Sequence, residues 1–343
     1  MARFGIRFLD DLGAPRELIR LAVAAEAAGF DSVWFPHDAF RLNSWAMLAA
    51  AAQATERVSL GSRNNIYTSD PSEIATYIAT LDHLSSGRAI LGLGLHTTNM
   101  LEWIGLAGED PIRRTKEMTE IIRRLLRGEK VPYQGEEFQW TERAFMRVPP
   151  LRADLPIYIV PFGRQFLELS GEIGDGSVPM MTPPESAPVM VEPILRGLAR
   201  SGRDPGSFDI CGFGWISVSE DGLAARDRLA DVIGYFGAYL DSFALETVGL
   251  APADFLPVLE RLNAGDKAGA RALVTDDMLR LAIVGTPEEC VETIGRMVDA
   301  GVTHVSLGGP LGPDPVEAIR LIGEKIIPEF AGMSPDSRQD VVS

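Results

Sequence analysis

Residues that form disulfides or bind metals are scarce in this sequence. It has two cysteines, Cys211 and Cys290, and four histidines among 343 residues. So few cysteines argue against a disulfide framework and are typical of the reducing cytoplasm. Neither the cysteines nor the histidines show the short spacings of a structural zinc site, so we expect no bound metal.

Positive charge and long apolar runs are also scarce. Lys and Arg number 32 against 48 Asp and Glu, which gives a formal net charge of −16. Nucleic acids and anionic membranes attract clustered basic residues, so this balance argues against both partners. No apolar run approaches the roughly 18 residues of a membrane helix, and the N-terminus lacks the apolar core of a signal peptide. We therefore expect a cytoplasmic protein whose partner is a small molecule.

Short apolar strands alternate with longer helical patterns along the chain. This alternation predicts a parallel sheet, and eight such units predict a closed (β/α)8 barrel. A doubly wound open sheet is the alternative, although no GxGxxG follows the first strand. The strand candidates are residues 4–8, 32–35, 57–62, 89–95, 156–160, 176–180, 208–218 and 304–309.

One barrel domain is predicted to span residues 1–333. Residues 129–155 and 220–284 are longer than barrel connections need, so we predict insertions at the barrel mouth, the first with a small hairpin. Residues 334–343 are polar and are expected to form a flexible tail.

Three helix starts share one pattern, in which a capping residue precedes a proline and a glutamate follows at the third helical position. The proline suits the first helical position, and the glutamate completes a capping box. The pattern predicts helices that begin at Pro71, Pro287 and Pro315.

Polar and aromatic side chains follow the predicted strands at their carboxyl ends, where ligands bind in such barrels. This composition suits a flat heteroaromatic ligand with polar edges. The residues are Arg7 near the end of the first strand, His37 and Asp38 after the second, Arg63, Asn64 and Asn65 after the third, His96 and Thr97 after the fourth, and Pro161, Phe162, Gly163 and Arg164 after the fifth.

Two of these strand ends suggest specific chemistry. Gly163 and Arg164 open a helix, whose amides and guanidinium group could bind a phosphate; in the alternative reading, Gly163 only makes a tight turn. His37 and Asp38 are candidate acid–base groups, although neighbouring side chains point apart on an extended backbone. His304 begins the last strand, at the opposite end of the barrel, and is not expected to take part.

The sequence resembles the bacterial-luciferase-like superfamily of barrel oxidoreductases. Within it, the chain is most similar to the F420-dependent methylenetetrahydromethanopterin reductases. The stretches that carry the resemblance are AAEAAGFDSVWFPHD (24–38), ATERVSLGSRNNIYTSDP (54–71), IATLDHLSSGRAILGLG (78–94), PIYIVPFGRQFLELSGEIGDG (156–176) and the closing segment 283–330.

The resemblance implies hydride transfer between C5 of coenzyme F420 and an organic substrate. It implies a bulge with a non-prolyl cis peptide at Arg63–Asn64, where both side chains lie under the deazaflavin ring. It implies a homodimer or larger homo-oligomer built on helices near the second and third strands. The other cofactor-binding residues that it implies are Asn65, at the polar edge of the ring, His96 and Thr97, and Pro161, Phe162, Gly163 and Arg164 around the phosphate tail.

The chain departs from the reductase pattern at three positions. The reductases carry Glu where this chain has Arg7, Asp-His where it has His37-Asp38, and an acidic residue where it has Thr97. The carboxylates expected for that reaction are therefore missing, and Arg7 favours an anionic or carbonyl-bearing substrate. His37, His96 and Asp38 remain candidate proton donors.

Two other functions are compatible with the sequence. An FMN-dependent monooxygenase of the same fold would consume oxygen with reduced flavin, which a deazaflavin enzyme would not. A non-catalytic flavin-binding barrel would bind the cofactor without turning over a substrate.

Overall fold

A parallel eight-stranded barrel forms the centre of the molecule. The structure is a computed structural model that describes residues 2–331 except positions 38, 96–100, 102, 107–109, 180 and 241. The strands are β1 Arg3–Arg7, β2 Ser32–His37, β3 Ser59–Asn65, β4 Ala89–Gly94, β5 Tyr133–Gln134, β6 Gln139–Trp140, β7 Ile157–Val160, β8 Gly176–Ser177, β9 Asp209–Val218, β10 Ile283–Gly285 and β11 His304–Leu311. The barrel order is β11-β1-β2-β3-β4-β7-β8-β9, and pairing of β9 with β11 closes it. Outside the barrel, β10 pairs with β9, and β5 pairs with β6.

Helices surround this barrel and confirm the predicted (β/α)8 architecture. Most of the core lies between them and the outer face of the strands. They are α1 Pro15–Ala27, α2 Ser44–Ala54, α3 Pro71–Leu84, α4 Pro111–Leu126, α5 Arg164–Ile173, α6 Ala187–Ser201, α7 Gly222–Phe236, α8 Ser242–Glu246, α9 Leu256–Asn263, α10 Lys267–Leu273, α11 Asp276–Leu279, α12 Pro287–Asp299 and α13 Pro315–Leu321. None of the described helices is long and apolar enough to cross a bilayer.

The three predicted helix starts are confirmed at α3, α12 and α13. Each begins at its proline, and the preceding Asp70, Thr286 or Asp314 accepts backbone hydrogen bonds through its side chain. The reciprocal capping box forms at Thr286 and Glu289. These caps satisfy amides that would otherwise lack partners in the first helical turn.

The prediction of a bulge and a cis peptide at Arg63–Asn64 is wrong. β3 pairs in unbroken parallel register with β2 and with β4 up to its last residues, so the ladder leaves no place for an extra residue there. The register shift lies instead in β11, between Gly308 and Leu311, and the cis bond found among the described residues is Gly309–Pro310.

The segment 129–155 contains the hairpin of β5 and β6, which α4 holds in place. The buried carboxylate of Glu117 accepts hydrogen bonds from three consecutive turn amides at 2.9, 3.1 and 3.1 Å. Arg114 donates to the carbonyl of Ile66, just after β3, at 2.8 Å and to Glu137 in the hairpin at 3.1 Å. The hairpin is therefore attached beside the carboxyl end of β3.

The segment 220–284 forms a second apolar cluster rather than a loop. Helices α7 to α11 enclose it, and it packs against Phe213 and Trp215 of β9. The Trp215 ring lies 6.1 Å from the Phe236 ring of α7, measured between centroids. This segment therefore covers the barrel on the side of β9. The expected tail, 334–343, lies outside the described residues.

A glycine in α6 allows helices α5 and α6 to pack closely against each other. A Cβ atom on Gly197 of α6 would lie 2.0 Å from the carbonyl oxygen of Glu168 in α5. Since the obstacle is backbone, it cannot be relieved by turning a side chain.

Replacing Gly197 with Ala should therefore push the two helices apart. We expect a loss of about 1–3 kcal/mol in the free energy of unfolding, measured by urea denaturation. Gly295→Ala in α12 is the matched control, because its Cβ would meet nothing within 4 Å. That variant should gain about 0.5–1 kcal/mol from helix propensity. Equal stability of the two variants would contradict the close approach.

Candidate active site

The barrel interior is lined by every second residue of each strand. Along β9 these are Asp209, Cys211 and Phe213, in order from the amino end to the carboxyl end. Trp34 of β2 occupies the middle layer, clustered with Cys211 and Tyr158. The interior is thus a stack of side chains with a polar layer at each end.

Two arginines and one phenylalanine form the layer at the carboxyl end, which we call the mouth floor. Arg7 and Arg63 are only 7% and 1% exposed. The Cζ atoms of these guanidinium groups lie 3.6 Å (Arg7) and 5.8 Å (Arg63) from the centre of the Phe213 ring. Contact between a cation and an aromatic face partly compensates for the lost hydration of the cation.

Gly308 of β11 makes room for this arrangement. A Cβ atom there would lie 2.6 Å from the Phe213 ring and 3.5 Å from Nε of Arg7. Any larger residue would displace the ring, and with it the support of the Arg7 guanidinium group.

Two further groups stand at this end of the barrel, and no sequence pattern indicated either of them. Thr182 follows β8; its amide donates to the Phe213 carbonyl at 2.7 Å, and its buried hydroxyl has no hydrogen-bond partner among the described residues. Asp11, which is exposed, lies close enough to Arg7 to interact with it electrostatically.

The three polar residues that end β3 do not all face the interior. Arg63 does, but Asn64 points to the helix side, because neighbouring residues of a strand alternate. The Asn64 side chain donates to Ser62 Oγ at 2.8 Å and to the Gly92 carbonyl at 3.1 Å. The Asn65 side chain accepts from the amide of Tyr67 at 3.0 Å and so forms the turn after β3.

His37 also lies on the helix side of its strand. Trp34 faces the interior, so alternation turns His37 outwards, where its ring centroid is 6.5 Å from that of Trp45 in α2. It pairs in register with Asn64 of β3. The other candidates, Asp38, His96 and Thr97, lie outside the described residues.

The predicted phosphate-binding segment lies between β7 and α5. Pro161 is buried and Phe162 packs against the core. Gly163 has a φ of +80° at the helix N-cap, with open space where a side chain would be. Arg164 forms an exposed ion pair with Glu192 at 3.1 Å, and such a pair contributes at most about 1 kcal/mol.

A buried polar network fills the amino end of the barrel. Its centre is Asp209, whose Oδ2 accepts hydrogen bonds from Tyr158 at 2.7 Å, His304 at 2.8 Å and Arg3 at 3.0 Å. His304 also contacts Ser32 Oγ at 2.9 Å through its other ring nitrogen. A charged residue that starts an apolar strand on its interior face, as Asp209 does, is the sequence signal for this network.

Asp209, Cys211 and His304 bring three potential metal ligands within 4.8 Å of one another. Asp209 already accepts three hydrogen bonds on one oxygen, and one of them comes from a guanidinium group. A cation would have to displace those donors and would be repelled by Arg3. We therefore interpret the cluster as a structural network.

The chain is similar to known proteins over almost its whole length. The sequence profile of the luciferase-like monooxygenase family matches residues 3–304. A 5,10-methylenetetrahydromethanopterin reductase of Archaeoglobus fulgidus is 35% identical over 334 residues, which is 96% of this chain and 99% of that protein. An F420-dependent glucose-6-phosphate dehydrogenase of Microbacterium testaceum is 29% identical over 345 residues, 96% of this chain and 97% of that protein.

The solved structure of the coenzyme F420 dependent tetrahydromethanopterin reductase from Methanopyrus kandleri matches with a TM-score of 0.89. It is 30% identical and covers 96% of this chain and 99% of that one. The barrel and these relatives define an oxidoreductase enzyme. The chain belongs to the bacterial luciferase-like family, among relatives that include F420-dependent oxidoreductases.

The amino-end network yields a prediction about acid stability. Burial alone would raise the pKa of Asp209, but His304, Arg3 and Tyr158 hold it well below its usual range. A lowered pKa stabilises the folded state above the unfolded value of about 3.9, and this contribution is lost as pH falls towards the folded pKa. Asp209→Asn should therefore cost about 3–5 kcal/mol at pH 7 and flatten the acid side of the stability profile.

Urea unfolding between pH 3 and 8 measures both effects. Asp276→Asn is the control, because Asp276 is 88% exposed in its pair with Arg226 and should change stability by less than about 1 kcal/mol. If the free energy of unfolding falls by the same amount in the wild type and in Asp209→Asn as the pH is lowered, the result would contradict the assignment.

Proposed function

We propose that this enzyme transfers a hydride between coenzyme F420 and an organic substrate that carries an anionic or carbonyl group. The similarity to proteins named as F420-dependent, at 30% and 29% identity over nearly the whole chain, supports the cofactor. The observation that carries the substrate class is Arg7, a guanidinium group buried at the mouth floor.

The residues at the carboxyl end fit a flat ring with polar edges and a phosphate tail. Thr182 presents a buried hydroxyl that no described residue contacts through a hydrogen bond, and such a group is costly unless a ligand or water binds it. Arg63 and Phe213 form a floor that a planar group could lie against. The start of α5 has glycine as its N-cap, and its backbone could approach a phosphate closely.

F420, when bound, supplies a two-electron hydride donor or acceptor at C5. The chain's own residues would position the reactants and control charge. Arg63 would support the ring, and residues 161–164 would hold the phosphate tail. Arg7 would bind an anionic group or polarise a carbonyl oxygen, because guanidinium groups form charge-assisted hydrogen bonds.

Candidate proton donors remain His37, Asp38 and His96. Of these, His37 is the one that lies among the described residues. It is next to β3, the strand that carries Arg63, and its side chain is on the helix side of β2. It would therefore reach a substrate from the rim of the mouth rather than from the barrel axis.

The proposed cofactor can be tested on the purified protein. Titration with F420 and, separately, with FMN, followed by tryptophan fluorescence, should give micromolar or tighter binding of F420 and much weaker binding of FMN. Oxygen consumption with reduced FMN is the second readout. A preference for FMN with oxygen uptake would instead support the monooxygenase alternative.

The proposed role of Arg7 predicts a preference for charged substrates. With reduced F420, 4-carboxybenzaldehyde should be consumed faster than its methyl ester, and Arg7→Met should remove the difference. Loss of a hydrogen bond to a charged group costs about 1.5–3 kcal/mol, which is roughly 10- to 150-fold in kcat/KM. Absorbance of the cofactor follows the reaction.

Arg147→Met is the matched control, because Arg147 is exposed in the segment 129–155 and is not part of the mouth floor. It should leave both rates unchanged. Equal selectivity in the wild type and Arg7→Met would contradict the role of Arg7.

A homodimer or larger homo-oligomer and a cytoplasmic location remain predictions. The exposed face of α2 carries Ala46, Ala50 and Gln53, and small residues permit close helix contact across an interface. Light scattering of the purified protein measures the assembly state.

A further inference from the structure

Two aromatic rings stand exposed in the segments that follow β2 and β4 at the carboxyl end of the barrel. Phe40 follows β2 and is 72% exposed, and Trp103 follows β4 and is 65% exposed. Their ring centroids are 6.2 Å apart with an interplanar angle of 44°. Two segments that are distant in sequence thus meet through rings that mostly face solvent.

The backbone of Phe40 is strained. Its φ is +63°, in the left-handed region that bulky L-residues avoid. Strain of this kind persists where surrounding structure enforces it, and it is concentrated at functional sites.

The residues after Phe40 supply that enforcement. Arg41 forms an ion pair with Asp10 in the loop after β1, and Leu42 packs against the core. Asn43 caps α2 by accepting from the amide of Ala46 at 3.1 Å. The three residues after Phe40 are thus anchored, and this anchoring fixes the position of the exposed Phe40.

The position of the two rings relates them to the mouth floor. β2 and β4 are the neighbours of β3 in the barrel, and the end of β3 carries Arg63. The rings of Phe40 and Trp103, which follow these two strands, therefore meet beside the end of β3. Ile104 and Leu106, 41% and 39% exposed, extend the apolar surface on the Trp103 side.

We propose that Phe40 and Trp103 form an aromatic rim that stacks the planar conjugated ring of a ligand bound in the mouth. The inference rests on the proposed function for the position of that ligand. Aromatic rings add specific stacking energy to the burial of their large surface. Because the mouth floor is cationic and the rim is aromatic, the site fits a ligand that combines a planar ring with an anionic group.

The planar ring could belong to the cofactor or to the substrate, and two titrations distinguish these sources. The variants are Phe40→Ala, Trp103→Ala and the double variant. Phe145→Ala is the control, because Phe145 is an exposed ring (47%) in the segment 129–155 and is not part of the rim; its ring centre lies 5.9 Å from Cζ of Arg147. Calorimetry first measures F420 binding, and then 2-naphthoate and cyclohexanecarboxylate binding to the F420-loaded protein.

We expect the rim variants to weaken a planar ligand by about 5- to 10-fold each, since stacking contributes roughly 1 kcal/mol. Weaker F420 binding would assign the rim to the cofactor. Unchanged F420 binding with weaker 2-naphthoate binding would assign it to the substrate. The dissociation constant for cyclohexanecarboxylate should stay within about 2-fold of the wild type in the rim variants. In Phe145→Ala, the dissociation constants for all of these ligands should stay within the same range.

Phe40→Asn tests the strain separately, because Asn tolerates the left-handed region. This variant should have a higher Tm than the wild type while binding the planar ligand more weakly. A lower Tm would contradict the inference that Phe40 is held at a cost to stability.

Unchanged binding of both planar ligands in the double variant would overturn the proposal. Conversion of a dimer to a monomer without loss of ligand binding would also overturn it and would identify a contact with a second copy of the chain. If the wild type fails to bind F420, 2-naphthoate is titrated into the protein alone. Dependence of that binding on Phe40 and Trp103 would then support the rim while refuting the cofactor assignment.

Discussion

The contact of Arg7 with Phe213 is the interaction on which the carboxyl end of the barrel depends. A closed barrel has little space for water, so a guanidinium group buried there needs support from its surroundings. The Phe213 ring provides a face 3.6 Å from Arg7, and Gly308 provides the space for the ring. A ring contacts the face of a guanidinium group and not its N–H edges, so stacking and hydrogen bonding to a ligand are compatible.

Charged side chains are stabilised differently at the two ends of the barrel interior. At the amino end, Asp209 is surrounded by Arg3, Tyr158 and His304, and the network is fixed by hydrogen bonds between side chains. At the carboxyl end, guanidinium groups lie on an aromatic ring. The first arrangement specifies a rigid base, and the second places positive charge at the end where barrels bind ligands.

Local signals made most of the fold predictable. Strand and helix alternation predicted the barrel, and the prolines at 71, 287 and 315 marked helix starts because capping depends on residues within one turn. Long-range pairing was not predictable. The outward direction of Asn64 depends on the register of β3 with its neighbours, and the Asp209–His304 contact joins residues 95 positions apart. No sequence pattern marked Thr182, since a hydroxyl without a hydrogen-bond partner among the described residues is visible only in three dimensions.

A crystal structure of the protein with F420 tests the central claim most directly, because it locates the cofactor without requiring a known substrate. The account predicts the deazaflavin ring in the mouth, over the floor formed by Arg7, Arg63 and Phe213, with the phosphate tail beside residues 161–164. A ring bound elsewhere, or a mouth that stays closed to F420 at saturating concentration, would contradict it.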